Sequence, residues 1–420
     1  MQLQLRQDRA LLRSAGGSVR YLVVSFTAPL AAGPRTRLPL DAAVVLDRSG
    51  SMGGPKIGLA REAAARALRR LAGDDRFTLV VYDDRVDVLA ELGAASGARL
   101  AAAQSALELV GARGSTALHA GWMAGARPLA DHADGRVRRC LLLTDGLANR
   151  GVSDVATLAA EAAALRRAGV VTSTFGVGHD FDEALLAKVA EAGGGAFYFL
   201  AEPARIPEFL EREMGDAAAV VARDAELVIT APPGVDVSCL EERTVVHAGG
   251  AVRVALGDVH EGEEVTAVLR LRFPAAADGD VARVLVGVRD AGGALQAEAQ
   301  AATWHFAGHR ANDGQPREVA VDRLVATAYA ARARLEAVAR NREGDLDGAM
   351  HVLRRTAERI EGYAGRDPEL LELARALRRE SAWLGEEVLP MADRKQLHMA
   401  AYAMREHKDA DGFRRRPTRR

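Results

Sequence analysis

The sequence predicts an α/β protein in which a doubly wound, Rossmann-like parallel sheet is inserted in an antiparallel β-sandwich and followed by a C-terminal helical bundle. Three observations predict it. Over residues 38–221, apolar runs alternate with segments of 3.6-residue periodicity, the pattern of mostly parallel strands joined by crossover helices. Beyond residue 220 the period falls to two, with Gly, Pro and Asp turns between short runs, as in packed antiparallel sheets. From about Pro316 the helical period returns in segments broken by polar turns, as in antiparallel helices.

In the α/β region we read buried strands at residues 42–46, 76–82, 137–143, 170–177 and 196–200. Helices are expected at 55–72, 97–110, 117–133, 153–168, 182–192 and 203–221. The first of these carries Ile57, Ala60, Ala64, Ala67, Leu68 and Leu71 on one face and Arg61, Glu62, Arg66 and Arg69 on the other. Residues 86–92 follow Tyr82-Asp83-Asp84-Arg85 and read as a hairpin return, hence an antiparallel edge strand.

The sandwich strands are expected at 225–230, 235–240, 251–256, 264–273, 282–288 and 294–306. In 264–273, Val265, Ala267, Leu269, Leu271 and Phe273 share one face. Leu3 and Leu5 alternate in the same way, as does the run 21–26. Residues 1–37 are therefore expected to join the sandwich of residues 222–309, with the α/β domain, 38–221, inserted between them. Helices at 318–341, 346–363 and 368–389 would fill a helical domain of residues 316–405, leaving 406–420 as a basic flexible tail.

A chain of 420 residues with 49% hydrophobic content has room for two or three cores. Lys and Arg number 56 against 57 Asp and Glu, so there is no global field for nucleic acid or an anionic membrane, and neither partner is expected. No stretch approaches about 18 uninterrupted apolar residues, and residues 1–8 lack a signal-peptide core, so we expect a cytoplasmic protein without a membrane span. Cys140 and Cys239 fall in separate predicted domains and are expected as buried thiols. No Gly-x-x-x-x-Gly-Lys-Ser/Thr string offers a nucleotide site.

The chemistry concentrates at Asp47-Arg48-Ser49-Gly50-Ser51, which closes the first strand of the α/β region. A carboxylate and two hydroxyls are hard oxygen ligands that suit Mg²⁺, Mn²⁺ or Ca²⁺. A residue ending a parallel strand projects at the carboxyl edge of the sheet, and Gly50 is expected to let the backbone turn so that Ser49 and Ser51 face one point. Alone, the string is equally readable as turn and cap residues. Two further strings stand at the same edge: Gly114-Ser115-Thr116 before a helix and Thr144-Asp145-Gly146 after a strand.

In this order the three strings resemble the von Willebrand factor type A family, whose metal-ion-dependent adhesion site is Asp-x-Ser-x-Ser, then Thr, then Asp. The resemblance covers about residues 38–220 and implies a divalent cation, Mg²⁺ or alternatively Mn²⁺ or Ca²⁺, held by Asp47, Ser49, Ser51, Thr116 and Asp145. Ser49 and Ser51 would bind directly, and the other three directly or through water. The last position would go to an acidic side chain of a partner protein, framed by a rim at Met52, Gly53, Arg113, Ser115, Leu147 and Arg150. A shift of the domain's last helix is expected to couple ligation to affinity, as in related domains.

The order of strands, A domain, sandwich and helices is similar to bacterial proteins of this class described as chloride-channel-like or inter-α-inhibitor-like. A second implied role is that of an accessory subunit to an AAA+ ATPase of the MoxR or chelatase type, in enzyme maturation or metal insertion. Near the three loops the sequence supplies no general base or shaped cleft, so no enzyme is expected. Asp83 and Asp84 read as hairpin-turn residues, Asp180 or Asp182 as a helix N-cap, and His119 and Trp122 as packing or rim residues.

Overall fold

The chain begins with three strands, β1 (Gln4–Gln7), β2 (Leu11–Arg13) and β3 (Ser18–Thr27), whose further partners lie beyond residue 260. The computed structural model describes residues 1–29, 38–131, 135–147, 149–241, 243–295, 297–405 and 407. It divides into two units, residues 32–219 and residues 1–31 with 220–420. The basic stretch 413–420 lies outside the described residues.

The 32–219 unit contains β4 (Leu40–Asp47), β5 (Arg76–Tyr82), β6 (Val86–Ala94), β7 (Val137–Thr144), β8 (Val170–Val177) and β9 (Gly194–Leu200). Between them run α1 (Pro55–Leu68), α2 (Gly97–Glu108), α3 (Leu118–Ala130), α4 (Val155–Arg167), α5 (Glu183–Ala192) and α6 (Ile206–Ala218). The strand order is β6-β5-β4-β7-β8-β9, parallel throughout except for the β5/β6 hairpin at the edge. Strands β4, β7 and β8 are buried along their whole length, which is why they read as unbroken apolar runs. The winding reverses between β4 and β7, and a doubly wound sheet opens its ligand crevice beyond the carboxyl ends at such a point.

Helix α3 lies close against this sheet. A Cβ on Gly121 would stand 2.3 Å from the Tyr82 ring and one on Gly125 would stand 2.4 Å from Val45. Trp122 is buried here, its Nε1 3.4 Å from Thr172 Oγ1, and His119 Nε2 lies 2.5 Å from Glu161 Oε2. Asp182 caps α5 by accepting from the N–H groups of Ala184 and Leu185, so the cap expected at 180 or 182 falls on the second.

The other unit adds β10 (Val220–Thr230), β11 (Asp236–Cys239), β12 (Val245–Ala248), β13 (Ala251–His260), β14 (Glu264–Phe273), β15 (Val281–Arg289) and β16 (Gln300–Ala307). Helices α7 (His309–Gly314), α8 (Val319–Arg342), α9 (Leu346–Ala364), α10 (Pro368–Glu386) and α11 (Met391–Arg405) follow. The sheets β1-β3-β14-β11 and β12-β13-β10-β15-β16-β2 enclose a shared core that includes Leu22, Val24, Leu227, Ile229, Leu269 and Trp304. The first residues thus supply strands to both sheets. Helix α8 is buried on two sides: Ala326 and Ala330 pack with Leu353, Ile360 and Leu377, while Val321 and Val325 pack on Tyr21, Val23 and Val268.

Several expectations are corrected. The sandwich is not wholly antiparallel, because β2 leaves the sheet of β1 and meets the edge strand β16 in the same sense. The helix expected to run to 221 stops at Ala218, where the β-branched pair Val220-Val221 starts the β10 ladder with β13. The strand expected from 294 starts at Gln300, since Asp290 holds the Leu295 N–H in a turn at 2.7 Å. Strand β12 and helix α11 were not anticipated as elements. Cys140 and Cys239 are buried free thiols, and burial pushes both up in pKa. Among the described residues, no helix is long and apolar enough to cross a membrane.

Candidate metal centre

Asp47 ends β4 beside Thr144, which ends β7, because Leu46 and Leu143 are register partners on these adjacent strands. Its Oδ2 accepts from Thr144 Oγ1 at 2.6 Å and its Oδ1 from the Ser49 N–H at 2.7 Å. Ser49 Oγ lies 3.0 Å from Ser51 Oγ, which donates to Asp145 Oδ1 at 2.6 Å. Thr116 enters from the loop before α3. Its N–H donates to Asn149 Oδ1 at 2.9 Å, and its carbonyl accepts from the N–H groups of Asn149 and Arg150. A Cβ on Gly146 would stand 3.2 Å from Thr116 Oγ1 and 3.4 Å from Ser51 Oγ, so those hydroxyls, from separate loops, converge against residue 146. The structure therefore brings together all five residues that the sequence singled out.

The donor set fits a hard cation. It consists of three hydroxyls and two carboxylates, all oxygen. Among the described residues no group of three or more His, Cys, Asp or Glu side chains is placed to hold a metal, so a cation at this point would rest on hydroxyls as much as on carboxylates. Asp47 is fully buried, and burial pushes its carboxyl up to about 6, against hydrogen bonds from Ser49 and Thr144 that act to lower it. Both of those partners are neutral, and a buried carboxylate among neutral donors is stabilised by a cation brought beside it.

Asp145 is different. Lys56, in the first turn of α1, places Nζ 2.5 Å from Asp145 Oδ2 and 3.4 Å from the Ser51 carbonyl. Sequence reasoning passed over Lys56, which reads as the polar side of an amphipathic helix. Asn149 falls between the expected rim residues Leu147 and Arg150 with no role of its own assigned to it, and Thr144 is marked only by its adjacency to Asp145.

Asp83 fastens the loops from below. Its Oδ2 accepts from Arg48 Nε at 3.0 Å and Arg113 Nε at 2.6 Å, its Oδ1 from the Arg85 N–H at 2.7 Å, and its carbonyl from the Ala117 N–H at 2.8 Å. Arg48 also pairs with Asp87. Burial works to raise the Asp83 carboxyl, but the Arg113 and Arg85 hydrogen bonds and the Arg48 charge together hold it below its usual range. Asp83 is the turn residue expected from the sequence and also an ion-pair hub.

Two glycines make the close approach possible. Gly50 N–H donates to the Gly114 carbonyl at 3.1 Å, and a Cβ on Gly50 would lie 3.3 Å from that oxygen. Its φ is not positive, so Gly50 serves proximity rather than the sharp turn expected of it. Gly114 has φ +68° and a Cβ there would lie 2.1 Å from Asp84 Oδ1, so this position requires glycine.

Around the five residues, Gly53, Arg113, Leu147 and Arg150 are exposed and Ser115 is half-buried. Met52 is a correction to the expected rim. The single 3-10 turn Gly50–Met52 tucks its side chain fully inside, where no partner touches it.

Comparison with known proteins places this site in a family context. Residues 41–212 match the von Willebrand factor type A domain. The chain is 27% identical over 278 residues to the uncharacterized protein sll0103 of Synechocystis sp., covering 64% of this chain and 65% of that protein. It is 27% identical over 240 residues to the uncharacterized protein YfbK of Escherichia coli, covering 54% of this chain and 40% of that one. It therefore spans less than two thirds of either relative. Among solved structures it is similar to a von Willebrand factor type A protein from Catenulispora acidiphila, at TM-score 0.72 and 21% identity, over 95% of this chain and 96% of that one. It is also similar to the ArnB paralog VWA2 from Sulfolobus acidocaldarius, at TM-score 0.58 and 16% identity, over 96% and 98%. At these identities the likeness is one of fold, and it extends over nearly the whole chain.

Proposed function

We propose that residues 41–212, a von Willebrand factor type A domain by sequence match and fold, form an intact metal-ion-dependent adhesion site that binds a protein partner. The residues we assign to the metal are Asp47, Ser49, Ser51, Thr116 and Asp145. The observation that carries this reading is the convergence of oxygen side chains from three loops at the sheet's switch point, beside a buried Asp47 whose hydrogen-bond donors are neutral.

Bound there, Mg²⁺ would supply an electrophilic position for a carboxylate of the partner; Mn²⁺ and Ca²⁺ suit the same oxygens. The chain's own residues do the rest. Thr144 and the Ser49 N–H orient Asp47, Ser51 orients Asp145, and Asn149 holds the Thr116 backbone. Gly53, Arg113, Ser115, Leu147 and Arg150 would frame the incoming side chain. Both carboxylates are engaged in these contacts, so the reading assigns no general base and the module is non-catalytic.

Affinity capture with the intact chain tests it. Proteins retained in Mg²⁺, released by EDTA and not retained by Asp145→Ala would support the reading. Equal retention in all three conditions would refute it.

A further inference from the structure

We infer that Lys56 is a tethered counter-cation that competes with the divalent metal for Asp145 and so sets the metal affinity of the site. The inference rests on the metal reading above and adds to it a residue outside the five.

The geometry is specific. Pro55 sets the first position of α1, and Lys56 follows it. The side chain reaches Asp145 Oδ2 at 2.5 Å and approaches the Ser51 carbonyl at 3.4 Å. It is 21% exposed while the Asp145 side chain is fully buried, so the ammonium lies at the mouth and the carboxylate beneath it. On the far side, a Cβ on Gly178 would stand 3.5 Å from Nζ, so Lys56 spans the gap between the turns after β4 and β8. Asp145 Oδ1 already accepts from Ser51 Oγ. Both carboxylate oxygens of Asp145 are thus committed, one to a ligand hydroxyl and one to an ammonium.

Charge decides the direction. Asp47 and Asp145 together balance a divalent cation, and Lys56 leaves one positive charge in excess. The excess opposes the metal, since like charges a few ångströms apart repel strongly when half-buried. The same excess favours an anionic side chain as the next ligand. A purely structural Lys56, which only held Asp145 in place, would act in the opposite sense, because its loss would loosen a ligand and weaken metal binding.

Mn²⁺ titration of the intact chain separates the two. Lys56→Met keeps an unbranched side chain of nearly the same length and removes the charge, Lys56→Gln is a second uncharged variant, Lys56→Arg keeps the charge, and Asp145→Asn reports on the site itself. We expect Lys56→Met and Lys56→Gln to bind Mn²⁺ about tenfold more tightly than wild type, with a larger rise in unfolding temperature on adding Mn²⁺. Lys56→Arg should stay close to wild type and Asp145→Asn should lose binding. If wild type binds, Asp145→Asn does not, and both uncharged variants bind equally or more weakly, the metal reading stands and the role of Lys56 is overturned. If neither wild type nor the uncharged variants bind, both fall.

Discussion

Ser51 Oγ donates to Asp145 Oδ1 at 2.6 Å, a bond between residues 94 positions apart in the chain. It joins the loop after β4 to the loop after β7 across the point where the sheet reverses its winding. The remaining contacts converge on this bond: Ser49 stands behind Ser51, Gly146 leaves room for Thr116 beside it, and Lys56 covers the other oxygen of Asp145.

Gly146 is the most direct test of that convergence. A methyl group there would press on Thr116 Oγ1 at 3.2 Å and Ser51 Oγ at 3.4 Å, while the backbone φ is one that any residue adopts. Gly146→Ala should weaken Mg²⁺ binding about tenfold, because a site held to about half an ångström loses affinity when its ligands are displaced by a few tenths. The unfolding temperature without metal should barely change. Unaltered Mg²⁺ affinity by titration would show that Thr116 and Ser51 do not act together.

Asp83 predicts an effect of another kind. Replacing it with Ala leaves the buried Arg48 and the neighbouring Arg113 with only the more exposed Asp87 as a shared carboxylate. Stripping one partner from such a cluster costs on the order of 2 kcal/mol, allowing for solvent around Arg113. Urea unfolding of Asp83→Ala should show this loss, together with weaker metal binding as the Thr116 loop detaches. A stability change under about 0.5 kcal/mol would be typical of an ordinary surface turn and would contradict the hub.

The raised Asp47 carboxyl gives a pH signature when metal is chelated. Burial holds the proton on the folded chain up to about 6, whereas the unfolded chain releases it near the ordinary aspartate value of 3.8. Between these values the folded state binds more protons, so stability is highest below the lower value and falls as pH rises through the upper one. The expected fall is about 3 kcal/mol in EDTA. Asp47→Asn should remove this fall from a series of unfolding curves between the two values, and an identical slope in both proteins would count against it.

Much of this was legible in the sequence, for identifiable reasons. Buried parallel strands such as β4, β7 and β8 are written as unbroken apolar runs, and the three loops of the candidate site are short strings of oxygen-bearing residues placed where strands end or a helix begins. Pairings between distant charges leave no such period. Asp83 sits in what reads as a hairpin turn, while its partners Arg48 and Arg113 lie in two other loops. Met52 follows a polar string and reads as exposed until the 3-10 turn buries it. Strand β2 has only three residues and β12 buries none of its four, so neither displays an apolar face in the sequence. In α11 the buried Lys395 and Arg405 blur the apolar face.

Calorimetric titration of Mg²⁺ into the intact chain, beside Asp47→Ala and Ser51→Ala, tests most directly the claim that these side chains hold a divalent cation. We predict saturable binding to the wild-type chain and a loss of about a hundredfold in affinity in each variant. Wild-type titrations indistinguishable from those of the two variants would contradict the claim.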